Sequence, residues 1–264
     1  MDLFEYQAEQ MMQATKPLAE RMRPQSLAEF AGQPHLVGEG KLIRRAIEND
    51  RIFSMILWGP PGCGKTTLAR IVARATRSHF AHFSAVLSGV RDIRAVIEEA
   101  RNQQKIHRKR TILFVDEIHR FNKSQQDAFL HHVESGLITL IGATTENPSF
   151  EVIAPLLSRC RVLPLHPLED QEIRSIIEGA IADSERGLGH LSLVLEPEAG
   201  EYLVRISDGD ARVALNNLEV AAAFGASGIA DADKPEPVVL TLKNVESALQ
   251  KKALLYDKSG EEHY

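Results

Sequence analysis

The residues that carry the most chemistry run from Gly59 to Thr67, Gly-Pro-Pro-Gly-Cys-Gly-Lys-Thr-Thr. Gly59 to Thr66 satisfies G-x-x-x-x-G-K-[ST], a spacing that folds backbone N–H groups around phosphate. Gly59, Gly62 and Gly64 allow a tight turn with its N–H groups facing inward. Pro60, Pro61, Cys63 and Thr67 belong to the same phosphate-binding stretch. Lys65 brings a point charge suited to β- and γ-phosphates, and the Thr66 hydroxyl is a hard oxygen ligand suited to Mg²⁺. A helix beginning at Lys65 adds the positive end of its dipole at the same place.

A second centre is Thr111-Ile-Leu-Phe-Val-Asp-Glu-Ile-His119. Its near-continuous apolar run predicts a strand buried on both faces, and two acids follow at the end where open α/β sheets bind ligands. There Asp116 is suited to hold Mg²⁺ together with Thr66, usually through water, and Glu117 to polarise a water for in-line attack on a γ-phosphate. A third apolar run, Leu137 to Ala143, ends in Thr144-Thr145-Glu-Asn147. A polar side chain there either senses the γ-phosphate or caps the turn before Pro148, and chemistry alone leaves both open.

Elements to position these groups are legible from periodicity. Met55 to Trp58 reads as a buried strand, His79 to Ser84 as another, and Val162 to Leu165 as a short last one. Leu68, Ile71, Val72 and Ala75 predict an apolar helix face; Ile93, Val96, Ile97 and Ala100 predict a second. His79 and His82 have no metal-completing neighbours and read as structural. The basic run Lys105 to Arg110 reads either as a solvated loop or as a phosphate contact. Beyond Pro167 the pattern is helical: Ile173, Ile176, Ile177 and Ala180, then Ala211, Ala214, Leu215, Leu218 and Ala222, then Leu242, Val245 and Leu249. A Pro- and Asp-rich loop is expected over 230–237. The expected division is a tail over 1–16, an α/β core over 17–167, a helical lid over 168–252 and the start of a further region over 253–264.

Composition narrows the class. At 264 residues, 44% of them hydrophobic and 25% charged, the chain can bury a sizeable core. A net charge of −5 argues against a general polyanion field, so any nucleic-acid contact must be local. Two distant cysteines, Cys63 and Cys160, exclude a disulfide framework and a zinc site. No basic leader and no apolar run of membrane-spanning length occurs, which predicts a cytoplasmic protein with no membrane partner.

Taken together, the phosphate loop, the Asp-Glu pair, the polar end of the next strand, Ser158-Arg159-Cys160 and the helical appendage resemble an AAA+ ATPase of the clamp-loader-like group. The resemblance is closer to the replication-associated recombination protein A family, which includes the WRN-interacting ATPase of eukaryotes. It rests on Ala19-Glu-Arg-Met-Arg-Pro24, Glu29-Phe-Ala-Gly-Gln33, Phe114 to Phe129, Ile141 to Phe150 and Gly209 to Asn216, and spans roughly residues 17–264. The runs F-N-K-S-Q-Q-D-A-F and G-A-T-T-E-N-P-S-F are its specific part.

The resemblance implies a P-loop αβα sandwich with a parallel sheet and a small all-helical lid. It implies Mg²⁺-dependent ATP hydrolysis, DNA-stimulated, at stalled forks or DNA ends. It casts Arg159 as an arginine finger reaching a neighbour's nucleotide, Arg212 as sensor 2 and Thr144 as sensor 1, with Thr145 close by. It also places the adenine against Phe30 to Gln33. Forked or ss/ds-junction DNA, single-stranded-DNA-binding protein and further copies of the chain are the implied partners, the last as a tetramer or ring. Family members usually continue into a tetramerising C-terminal domain near where this sequence stops, so self-association is expected to be weak, and the eukaryotic zinc finger has no counterpart here. Competing readings are a clamp-loader subunit, a branch-migration motor, and a nucleotide-switched scaffold with little turnover. Against them stand the specific runs, the lack of a winged-helix segment after the lid, and the intact Lys65, Asp116, Glu117 and Arg159 set.

Overall fold

A computed structural model of the chain describes residues 16–84, 90–227 and 237–250. The expected tail, most of the 230–237 loop and the region after 252 lie outside them. The chain divides into two compact units, Pro24–Pro167 and a second formed by the residues before and after it.

In chain order the described elements begin with helix α1 (Leu18–Arg21), α2 (Pro34–Val37), α3 (Leu42–Glu48), strand β1 (Met55–Trp58) and α4 (Lys65–Ala75). Then come β2 (His79–Ser84), α5 (Val90–His107), β3 (Thr111–Asp116), a 3₁₀ turn (Ile118–Arg120) and α6 (Lys123–Glu134). β4 (Ile138–Thr144), α7 (Pro148–Glu151), α8 (Ala154–Leu157) and β5 (Arg161–Pro164) complete the larger unit. The smaller continues with α9 (Asp170–Ala182), a 3₁₀ turn (Gly189–Leu191), β6 (Val194–Leu195), α10 (Pro197–Ser207), α11 (Ala211–Ser227) and β7 (Val239–Leu240). A final helix, α12, covers 242–250.

The first five strands form one parallel sheet in the order β2-β3-β4-β1-β5. Alternation along the strands feeds two separate cores, as period-2 geometry requires. Met55, Leu57, Ile112, Phe114, Ile141 and Ala143 face one layer with Leu68, Ala69 and Val72 of α4 and Ile43 of α3. Ile56, Leu113, Val115, Ile138 and Leu140 face the other with Ile93 and Ile97 of α5 and Phe129 of α6. His82 stacks on Phe114 at 5.6 Å, a packing role. Because all strands run one way, every strand ends at one edge of the sheet and begins at the other.

The run F-N-K-S-Q-Q-D-A-F gains a physical meaning here. Asn122 and Gln125 form a reciprocal capping box that starts α6. Gln126, 1% exposed, donates to the carbonyls of Phe121 (3.1 Å) and Glu151 (2.9 Å) and accepts from the Ile153 N–H (2.9 Å). It therefore stitches the chain leaving β3 to the segment that continues G-A-T-T-E-N-P-S-F.

Two features differ from the sequence expectation. Residues 17–23, assigned from sequence to the α/β core, belong to the helical unit. Leu18 is fully buried in that unit's core, its N–H donates to Glu219 Oε1 (3.0 Å), and Arg21 pairs with the same carboxylate at 3.3 Å. A polar segment with one buried leucine carries no periodicity that would reveal this. The helical unit also contains a short parallel ribbon, β6 with β7. Its core is helix-on-helix, with Ile173, Ile177, Leu203, Leu215 and Leu218 buried together.

Candidate functional site

The loop after β1 is fixed from both sides. Gly59 N–H donates to the Thr144 carbonyl (3.1 Å) at the end of β4, and Leu165 N–H donates to that of Trp58 (2.7 Å). A Cβ on Gly59 would stand 2.4 Å from the Leu165 carbonyl oxygen, so the approach requires glycine. Gly64 has φ 100°, and a Cβ there would meet the Phe30 ring at 2.8 Å. Phe30 thus lies against the loop just where α4 begins. Lys65, 9% exposed, donates to the carbonyls of Gly59 and Pro60, both at 2.7 Å. Those bonds hold the ammonium inside the curve of the loop. Cys63 is buried, Thr67 is buried, and Thr66 is half-buried in the first turn of α4.

Asp116 ends β3 and Glu117 follows in the left-handed region, φ 51° and ψ 50°. For a residue with a side chain that conformation costs about 1–3 kcal/mol, and such strain gathers at functional positions. The turn aims the carboxylate back toward the ends of the strands. Glu117 Oε2 lies 3.3 Å from His119 Nδ1, and that nitrogen lies 2.9 Å from Thr144 Oγ1. Thr144 is fully buried; its hydroxyl accepts from the Glu146 N–H (3.0 Å) and reaches the Glu146 carbonyl (3.3 Å). The network is satisfied when Nδ1 carries the proton and shares it between Thr144 and Glu117. Sequence reasoning missed His119. Its signal was its place two residues after Glu117, but its partner lies 25 residues away on another strand.

Of the remaining expected residues, Gln33 is 3% exposed and committed elsewhere. Its amide donates to the His166 carbonyl (2.7 Å) and accepts from the His166 N–H (3.0 Å). It clamps the Phe30 segment to the chain leaving β5 rather than offering itself to a base. Arg159 is not brought to the cluster. It precedes β5 at the edge where strands begin, donating to Pro155 O (2.7 Å) and Ser158 Oγ (2.8 Å) and pairing with Glu134. The β1–β5 pairing, Met55 with Arg161 through Trp58 with Pro164, sets it about 10 Å or more from its own loop. Arg212 belongs to the helical unit and is exposed at the start of α11, which Asp210 caps through the N–H groups of Arg212 and Val213. Cys160 is held inert, its thiol pushed up to about 12 by burial.

The donors suit Mg²⁺ carried in with phosphate rather than a resident ion. Thr66 and Asp116 offer two hard oxygens, and no group of three His, Cys, Asp or Glu among the described residues is arranged to hold a metal. No helix among them is long and apolar enough to cross a membrane.

A phosphate loop, an Asp-Glu pair and a buried threonine meeting at the ends of β1, β3 and β4 of a parallel sheet define a P-loop AAA+ ATPase module. The model of the ATPase family associated with various cellular activities matches residues 55–166, and that of the AAA C-terminal domain matches 189–264. Replication-associated recombination protein A of Escherichia coli K12 is 48% identical over 249 residues, 94% of this chain and 54% of the relative. Its namesake in Coxiella burnetii is 55% identical over 208 residues, 79% of this chain and 47% of the relative. The chain belongs to the replication-associated recombination protein A family, and it spans about half the length of these curated relatives. The solved structure of the Thermotoga maritima RuvB Holliday junction branch migration motor matches with TM-score 0.70 and 26% identity. The match covers 87% of this chain and 72% of that one.

Proposed function

We propose that this chain binds and hydrolyses Mg²⁺-ATP and couples turnover to DNA in replication-associated recombination. The observation that carries the reading is the convergence of Lys65, Asp116, Glu117 and Thr144 at the trailing edge of the sheet. The phosphate chain replaces the Gly59 and Pro60 carbonyls as partner of Lys65, against the N-terminus of α4. Thr66 and Asp116 hold the Mg²⁺, which screens phosphate charge when bound. Glu117 orients and deprotonates the attacking water, while Thr144 and His119 fix its carboxylate. Phe30, whose ring packs against Gly64, flanks the base in this reading, and Gln33 braces the segment that carries it. Arg159 serves a neighbouring subunit, where its planar charge stabilises the phosphoryl oxygens by about 10³–10⁵ in rate. Arg212 acts as the lid's nucleotide sensor. Forked or junction DNA, and a single-stranded-DNA-binding protein, are the partners this family membership supports.

The test is phosphate release by the wild type, Lys65→Ala and Glu117→Gln, each with and without forked DNA. Lys65→Ala is expected to lose ATP binding and turnover. Glu117→Gln should bind ATP yet turn over about 10²–10⁴ times more slowly. A Glu117→Gln variant at wild-type rate removes the base assignment, and a wild-type rate indifferent to DNA removes the coupling.

A further inference from the structure

At the edge where the strands begin, three loops lie together and their charge is one-sided. His79 N–H donates to the Arg110 carbonyl (2.8 Å), joining the loops that lead into β2 and β3. Arg110 also reaches the loop into β1, donating to the Asp50 carbonyl (2.7 Å) and pairing with its carboxylate. This surface exposes Arg51, Arg77, Lys105, Arg108, Lys109 and Arg110 against the carboxylates of Glu48 and Asp50, in a chain of net charge −5. Ile106, 71% exposed, stands within the same run.

Local structure accounts for part of this. Arg77 (φ 50°) and Arg108 (φ 53°) follow α4 and α5 as left-handed helix-ending residues, a place usually given to Gly or Asn. A cation there gains about 0.3–1 kcal/mol from the helix dipole, which recovers part of the roughly 1–2 kcal/mol that the conformation costs. That explains a charge at two positions. It leaves Arg51, Lys105 and Lys109, and the exposed Ile106 among them, without a partner in the fold's own logic.

We infer that this edge is a nucleic-acid surface, its cations seated on backbone phosphates and Ile106 against sugar or base. The inference rests on the DNA reading above and adds where the strand lies. It puts the polyanion at the far edge of the sheet from the nucleotide, about 20 Å along β3, so the two ligands occupy opposite ends of the same strands.

The left-handed arginines permit a test that spares the fold. Arg77→Gly with Arg108→Gly removes two charges while supplying the residue the backbone prefers, so thermal unfolding should match the wild type. Binding of the full chain to short labelled duplex and single-stranded oligonucleotides is followed by fluorescence anisotropy across a salt series. The double variant is expected to bind about tenfold or more weakly at low salt, with a salt slope reduced by about one per arginine. Basal ATP turnover should be unchanged. Lys105→Gln with Lys109→Gln should act in the same direction. Wild-type binding with unaltered affinity and slope in both variants overturns the surface and leaves the DNA reading standing. No binding of either probe by the wild type at low salt overturns the DNA reading itself.

Discussion

At the scale of single residues, Glu117 is held by more than its motif. His119 Nδ1 spans Glu117 and Thr144, so the carboxylate's position depends on a ring whose other anchor is on β4. Removing the ring in His119→Ala should lower kcat about five- to tenfold, the worth of one net hydrogen bond, with little change in ATP affinity. His119→Asn, whose amide nitrogen reaches where Nδ1 stood, should recover most of that loss. Steady-state kinetics alongside ATP-binding calorimetry separates the two effects. Equal losses in both variants would make His119 a packing residue. Thr144→Val, which keeps shape and drops the hydroxyl, should mimic His119→Ala and add little to it. The phosphate loop and Asp116-Glu117 were legible in the sequence because their chemistry demands those types at fixed spacing. His119 was not, because a contact between strands leaves no mark on either alone.

At the scale of elements, two buried glutamines do what loops seldom can. Gln33 fastens the Phe30 segment to the chain after β5, and Gln126 fastens the exit of β3 to the segment between α7 and α8. Each amide spends both ends on backbone groups. Gln33→Ala leaves the two His166 backbone groups unpaired, and should cost about 1–3 kcal/mol of stability in urea unfolding. Because Phe30 depends on the same clamp, ATP affinity should fall as well. A variant of wild-type stability that binds ATP normally would show that Phe30 needs no such support. The strands were readable in advance since sheets covered on both faces need unbroken apolar runs. The glutamines were visible as letters in a motif, yet their purpose appears only when segments far apart in sequence are seen side by side. Likewise α1 joins the helical unit through one leucine and one shared carboxylate, too slight a pattern to read.

At the scale of the molecule, the α/β unit keeps Arg159 at the opposite edge from its own phosphate loop, tied to Glu134 and Pro155. In the trans assignment, Lys65→Ala and Arg159→Ala subunits are each inactive alone but should regain part of wild-type turnover when mixed. Turnover per subunit in the wild type should also rise with protein concentration. Phosphate release from the two variants, separately and combined, checks the first; a dilution series checks the second. No rescue on mixing, with turnover independent of concentration, would leave Arg159 as a local structural residue.

A sheet whose strands all point one way gives each subunit a front and a back that cannot be interchanged. Two copies stacked back against back about a twofold axis would present like to like, and neither would complete the other. Stacking front to back is the heterologous arrangement, which closes into a ring or grows as a filament. Such a row has an arithmetic of its own: a pair completes one site and leaves one idle, an open row always wastes its terminal member, and closure alone employs every copy. Under the trans assignment, the fraction of working sites therefore counts the ends of the assembly.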